Sequence, residues 1–141
     1  MSVRPAGPGD AEAMAAIHEK SFPRGWSAGE MRTLLSGKGA TGVIDSGGGG
    51  FALGCVVAGE SEILSLAVDP DRRRAGLGRA LLAALEAQCA AAGSARMVLD
   101  VSETNAAARA LYASAGYGEA ARRKAYYADG VDALILDKQL R

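Results

Sequence analysis

The chain has 141 residues, room for one domain with a single sizeable core. It is 49% hydrophobic and 23% charged, ordinary for a globular protein, and its sixteen Lys+Arg balance sixteen Asp+Glu. A net charge of zero excludes any bulk electrostatic case for nucleic acid or an anionic membrane as partner. Cys55 and Cys89 lack CxxC spacing. One disulfide is open to them, but two free buried thiols in a reducing cytosol fit better. A lone histidine, His18, leaves little for a His-built metal site or a Ser-His-Asp triad, and no metal is expected. The opening MSVRPAGPGDAEAM has no apolar h-region, and the apolar stretch 80–92 carries Glu86 and Gln88. Neither a signal peptide nor a membrane span is expected, which makes the cytoplasm the default location.

In chain order, residues 2–5 predict a short strand. Asp10 then reads as the N-cap of a helix to Lys20, with Ala13, Met14 and Ile17 inward and Pro23 as its stop. Ser27-Ala28-Gly29-Glu30 is a capping-box pattern for a second helix to Leu35. Residues 42–45, 51–58 and 62–68 are short β-rich runs and predict an antiparallel meander, with 46–50 a flexible hairpin loop. Asp69-Pro70 stops the third run. Leu77, Leu81, Leu82, Leu85 and Cys89 mark one face of a long helix, and Gly93 stands where a C′ glycine belongs. Residues 97–101 predict a buried strand, Asn105 caps a helix over 106–115, and Gly116 closes it. Residues 117–125 and 131–140 make a last strand pair. The crossover from 62 to 101 predicts one parallel pairing in a mixed sheet.

The segment from Leu66 to Arg79, LAVDPDRRRAGLGR, joins a strand to a helix. Gly76 and Gly78 allow a sharp turn and close approach of a ligand to the backbone. The N–H groups of the helix start converge on one point and the helix dipole adds to them, which makes an anion site suited to a pyrophosphate. Arg72, Arg73, Arg74 and Arg79 add positive charge. The segment lacks the Gly-Lys-Ser/Thr ending of a Walker loop and the third glycine of a dinucleotide loop.

Arg73-Arg74-Ala75-Gly76-Leu77-Gly78 resembles the R/Q-x-x-G-x-G/A motif of the GNAT acetyltransferases, in its usual place after a strand ending Leu-Ala-Val-Asp-Pro. Asn105 to Tyr112, followed by Ala115-Gly116-Tyr117, resembles the family's N-x-x-A-x-x-L-Y…G-F/Y segment. Leu99-Asp100-Val101, the run from Arg122 to Tyr127 and Asp132-Ala133 are similar to the RimI type, which acetylates the N-terminal alanine of a small-subunit ribosomal protein. Phe22-Pro23…Trp26-Ser27 also fits, two residues longer than the type's Phe-Pro-Trp-Ser. The resemblance covers nearly the whole chain. It implies a single domain over 1–141 with a GNAT-like α/β fold. Its sheet would be mixed, mostly antiparallel and seven-stranded, flanked by about four helices. A cofactor cleft would lie between the central parallel strands.

The resemblance further implies acetyl-CoA as cofactor, held by Arg73, Arg74, Ala75, Gly76, Leu77, Gly78 and Arg79. Leu66, Ala67 and Val68 would present main-chain groups to its pantetheine arm, with the Val68 N–H toward the thioester oxygen. Asn105 would bind from the other side of the cleft, while also capping its helix. Tyr112 is the expected acid and a cofactor contact, since a phenol with a pKa near about 10 keeps its proton at neutral pH. Asp100 stands where the RimI type carries a glutamate. One methylene shorter, it reads as a base acting through water, or as a structural carboxylate. Glu62 and Glu103 are the alternatives, with Glu103 expected toward solvent. His18 reads as a surface helix residue. Trp26, Tyr126 and Tyr127 are candidates to clamp an extended peptide. The expected partner is a protein N-terminus on a monomer or weak dimer. Open alternatives are a small-molecule amine or lysine acceptor, and a non-catalytic acetyl-CoA-binding module.

Overall fold

The computed structural model describes residues 2–22, 25–72 and 76–140. The chain runs β1 (Val3–Pro5), a 3-10 turn (Pro8–Asp10), α1 (Ala11–Ser21) and α2 (Ala28–Leu35). β2 (Ala40–Asp45), β3 (Gly50–Val57) and β4 (Glu60–Val68) follow. α3 (Leu77–Ala91), β5 (Arg96–Ser102), α4 (Ala106–Ser114), β6 (Gly118–Arg123) and β7 (Ala133–Gln139) complete it.

The local capping signals act as the sequence predicts, with one exception. Ser27 Oγ accepts from the Glu30 N–H at 3.1 Å and Glu30 Oε1 accepts from the Ser27 N–H at 3.2 Å, a reciprocal cap that starts α2. Asn105 Oδ1 accepts from the Ala108 N–H at 3.1 Å and starts α4. Gly93 at φ +95° ends α3 in the left-handed region. Asp10 is the exception. It occupies the N-cap position of α1 but makes no capping bond there. Its carboxylate accepts from the Gly7 N–H at 3.0 Å and pairs with Arg4 at 2.7 Å, so it closes the preceding turn instead. The buried face of α1 is Ala11, Met14, Ile17 and His18, and Ala13 points to solvent. Pro23 lies outside the described residues.

The seven strands form one sheet in the order β1-β2-β3-β4-β5-β7-β6, antiparallel except where β4 meets β5. That parallel pairing extends only over Glu60–Glu62 opposite Arg96–Val98. Two features part the strands beyond it. β4 pairs Ser65 with Leu53 but Ile63 with Gly54, so Leu64 is an extra residue that bends the strand. The bend also exchanges faces. Ile63 packs with the α3-side core, while Ala67 packs with the α1–α2 core. The edge of β4 from Ile63 onward therefore lines an opening and not a β5 ladder.

Two cores cover the two faces. On one, Leu77, Leu81, Leu82, Leu85 and Cys89 of α3 pack with Val43, Ala52, Met97, Leu99 and Leu136 of the sheet. On the other, Met14, Ile17, Met31 and Leu35 pack on Ile44, Phe51, Leu53 and Ala67. Residues 46–50 are held more firmly than a free linker. Buried Asp45 accepts from the Gly49 N–H at 3.0 Å and the Ser2 N–H at 3.2 Å, and the Arg72 guanidinium donates to Gly47 O at 2.9 Å. Gly50 has no room for a side chain: a Cβ there would sit 2.7 Å from Ala67 O and 2.8 Å from Leu81 Cδ1. Cys55 is half-buried and Cys89 buried, both as free thiols.

Burial alone would raise the Asp45 pKa, but the N–H groups of Ser2, Gly49 and Gly47 outweigh it and hold the carboxylate below its ordinary value. A depressed folded pKa contributes stability that is present above the unfolded value of about 3.9 and lost as pH falls through the folded value. Asp45→Asn is therefore expected to lower stability at pH 7 by about 1–2 kcal/mol. The gap between wild type and variant in urea unfolding should narrow as the pH drops below about 4. A gap that widens in acid would reverse the sign.

Candidate functional site

Where β4 and β5 separate, a cleft of about 800 Å³ opens, lined by both strands, α4, the end of α1, Trp26 and the loop residues Tyr127 and Ala128. A second lobe of about 530 Å³ runs from it along the end of β4 to the start of α3. Leu66, Asn105, Ala108, Tyr112 and Phe22 border both. The site thus has two compartments that meet at α4.

The α3 lobe is walled by Leu66, Ala67 and Val68, by Gly76, Leu77, Gly78 and Arg79, and by Asn105 and Leu111. Gly76 holds φ +80° at the N-cap, a conformation a side chain would strain, and the space beside it is clear for 4 Å. Gly78 follows on the first turn, opposite Leu111 of α4. The helix therefore offers its N-terminal amide groups to an anion at a place where backbone can be approached closely. Arg79 is exposed and donates to Ser114 Oγ at 2.9 Å, which ties α3 to α4. Arg72 also borders the lobe. The end of β4 is fixed from the other side. Ser21 Oγ donates to Val68 O at 3.3 Å, and Lys20 pairs with Asp69 at 3.2 Å.

The β5 lobe carries Leu99, Asp100, Val101 and Ser102 on one wall and Ile63, Leu64, Ser65 and Leu66 on the other. Asp100 is exposed. Ser65 Oγ, in the opposite wall, is buried with no hydrogen-bond partner. Tyr112 is 7% exposed, its ring edge-on to Tyr117 at 5.6 Å. Burial pushes its phenol pKa up to about 12. The group therefore holds its proton throughout the neutral range.

At the mouth, His18 is 4% exposed and packed between Phe22 at 4.3 Å and Trp26 at 4.5 Å. Its Nδ1 accepts the Trp26 N–H at 3.0 Å. Burial lowers its pKa, against a smaller opposing effect of Glu30. Tyr127 enters the lobe, and its phenol is raised by burial and then by the nearby Asp100 charge. The segment carrying it is held by Asp132, which accepts the Ala125 N–H at 2.9 Å and pairs with Arg122 at 2.9 Å. Ala125 is turned to φ +51° there.

Most of the residues singled out in the sequence thus meet in one cleft: Leu66, Ala67, Val68, Gly76, Leu77, Gly78, Arg79, Asp100, Asn105, Tyr112, Trp26 and Tyr127. Arg73, Arg74 and Ala75 lie outside the described residues. Tyr126 does not join them. It is 51% exposed, with the Arg123 guanidinium 5.1 Å from its ring. Glu62 is exposed opposite Cys55 on β3, away from the cleft lining. Glu103 is half-exposed and paired to Arg122 at 3.0 Å. The expectation that His18 is a surface residue is overturned, because 25–27 folds back and stacks Trp26 on it. Its place was foreshadowed by aromatic spacing: His18, Phe22 and Trp26 recur every four residues.

The model of the acetyltransferase (GNAT) family matches residues 11–117, and the chain belongs to that family. It is 47% identical over 89 residues to the [ribosomal protein bS18]-alanine N-acetyltransferase of Escherichia coli K12, covering 61% of this chain and 60% of the relative's length. The crystal structure of the ribosomal-protein-S18-alanine N-acetyltransferase from Escherichia coli superposes with a TM-score of 0.86 at 34% identity, covering 99% of this chain and 93% of that one. A Salmonella typhimurium acetyltransferase structure with its cofactor acetyl-CoA shares the fold at 21% identity, with a TM-score of 0.86 and coverage of 100% and 94%. No helix among the described residues is long and apolar enough to cross a membrane.

Proposed function

We propose that this chain transfers the acetyl group of acetyl-CoA to the α-amine of a protein N-terminus, the acceptor being the alanine end of a small-subunit ribosomal protein. The observation that carries the reading is the meeting of two lobes at Tyr112, a buried phenol that keeps its proton. One lobe ends on a helix start suited to a pyrophosphate. The other is an apolar slot with a carboxylate and aromatic walls, suited to an extended chain end. The names of the Escherichia coli relatives support the acceptor class.

The α3 lobe fits acetyl-CoA on its own features: the clear space at Gly76, the N–H groups of the first turn of α3, and Arg79 beside them. Asn105 borders the thread between lobes while its side chain caps α4. The unpaired edge at Leu66 and Ala67 suits an extended arm laid along β4. When bound, acetyl-CoA supplies an activated acetyl thioester, and its transfer leaves a thiolate to be protonated.

Tyr112 holds the proton for that thiolate at its phenol oxygen. Asp100 takes the proton released by the amine, through a water molecule, because an aspartate reaches less far than a glutamate. Little basicity is needed, since an α-amine has a pKa of about 8 against about 10.4 for lysine. Trp26 and Tyr127 flank the incoming peptide.

The test is thiol release from acetyl-CoA with separate acceptors: an alanine-ended peptide, a peptide with a blocked end and a free lysine, and a polyamine. The alanine-ended peptide is expected to give the highest kcat/KM, by about tenfold or more, since the site's carboxylate suits the less basic amine. A faster lysine peptide or polyamine would replace the acceptor. Cofactor binding without any thiol release would make this a non-catalytic acetyl-CoA-binding module.

A further inference from the structure

The histidine at the mouth has no role in the chemistry above. Yet it is almost wholly buried, it stacks on two aromatic rings, and its Nδ1 is committed to a backbone donor. A ring nitrogen that accepts a hydrogen bond carries no proton, so the imidazole is neutral, with its proton on Nε2. The bond it accepts belongs to Trp26, which borders the β5 lobe. Phe22, on its other side, borders both lobes.

We propose that His18 is a positioning residue for the acceptor: its neutral imidazole holds Trp26, and with it the 25–27 segment, against the wall of the lobe that takes the peptide. The claim that this lobe takes a peptide rests on the function proposed above. The holding of Trp26 does not.

Protonation of Nδ1 would set an N–H against the Trp26 N–H at 3.0 Å, turning the bond into a repulsion. The segment would then leave the wall. The groups around the imidazole favour the neutral form on balance. From α2 comes Glu30, whose carboxylate is engaged by the Ser27 N–H at 3.2 Å and only partly opposes the effect of burial. From β3 comes Phe51, at 6.2 Å. Leu64 and Ser65 of β4 border the same lobe and carry no charge. Acceptor affinity should therefore fall on acidification, while the α3 lobe keeps its hold on the cofactor.

Trp26 is the chain's one tryptophan, so its fluorescence reads the contact directly. The wild-type protein should show a fluorescence transition on acidification, with a midpoint below the ordinary histidine value of about 6.5. His18→Asn should lack that transition, since its amide does not titrate, while its Oδ1 can still accept from the Trp26 N–H. Binding of an N-acetylated alanine peptide, measured with CoA present, is blind to titration of the amine. Its Kd in wild type should rise roughly tenfold across the transition, the loss of about one buried hydrogen bond. In His18→Asn it should stay flat. His18→Phe keeps an aromatic ring but not the acceptor. It should raise the peptide KM about tenfold and leave kcat and the acetyl-CoA KM within about twofold. A wild-type fluorescence signal with no transition, or one that persists in His18→Asn, would overturn the proposal. So would a peptide Kd that ignores the transition. If no alanine-ended peptide binds at any pH, the acceptor reading fails, and the fluorescence titration still decides whether His18 holds Trp26.

Discussion

Tyr112→Phe is expected to lower kcat by about 10²-fold or more and to leave acetyl-CoA affinity within about twofold. The substitution removes one oxygen from a ring that is 7% exposed, so the packing against Tyr117 and the α3-side core is retained. What disappears is a proton held where the two lobes meet. A phenol raised to about 12 by burial is a weak acid in the resting protein, yet it is stronger than water as a donor to a departing thiolate. The loss should fall on kcat and kcat/KM alike, the mark of an interaction made only in the transition state. Solvent ionisation of Tyr112 should not appear in the neutral pH–rate profile of the wild type. Unchanged turnover in the variant would remove the acid role and leave Tyr112 as a core aromatic.

Phe51→Ala is expected to cost about 3–5 kcal/mol of folding stability, read as a drop in urea midpoint at constant slope. Phe51 is fully buried in β3, facing Ile44 and Ala67 across its two strand neighbours. Met14, Ile17, Met31 and Leu35 close over the same cluster. No neighbour can collapse into the space without moving a helix, so the cavity term adds to the lost burial. That is a large share of the 5–15 kcal/mol that holds a typical domain together. The consequence reaches the site, because the α1–α2 layer also presents His18, Phe22 and Trp26 to the cleft. A loss below about 1 kcal/mol would show that this layer is looser than its burial implies.

What the sequence revealed and what it hid follow from the range of the forces involved. The caps at Ser27 and Asn105 and the stop at Gly93 depend on three or four adjacent residues, and each acts as read. The amphipathic face of α3 was legible for the same reason. The antiparallel meander, the single parallel pairing and the family membership were also foreseen. The shape of the cleft was not. It depends on an extra residue at Leu64 and on a parallel ladder that stops at Glu62, and neither leaves a local mark. Glu62 lies within that ladder and outside the cleft lining. Tyr126 and Tyr127 could not be separated by composition either. The turn at Ala125, fixed by Asp132 seven residues on, sends one ring to the lobe and the other to solvent. His18 was misjudged because its burial is completed by Trp26, from beyond the end of its own helix.

The most direct measurement of the central claim uses one peptide with both kinds of amine. It begins with a free alanine α-amine and carries an internal lysine. Incubated with the protein and acetyl-CoA, it would be read by fragment mass spectrometry for the position of the added acetyl group. The account predicts the group on the first residue, with the lysine unmodified at early times. Acetyl on the lysine, with the alanine amine still free, would contradict it.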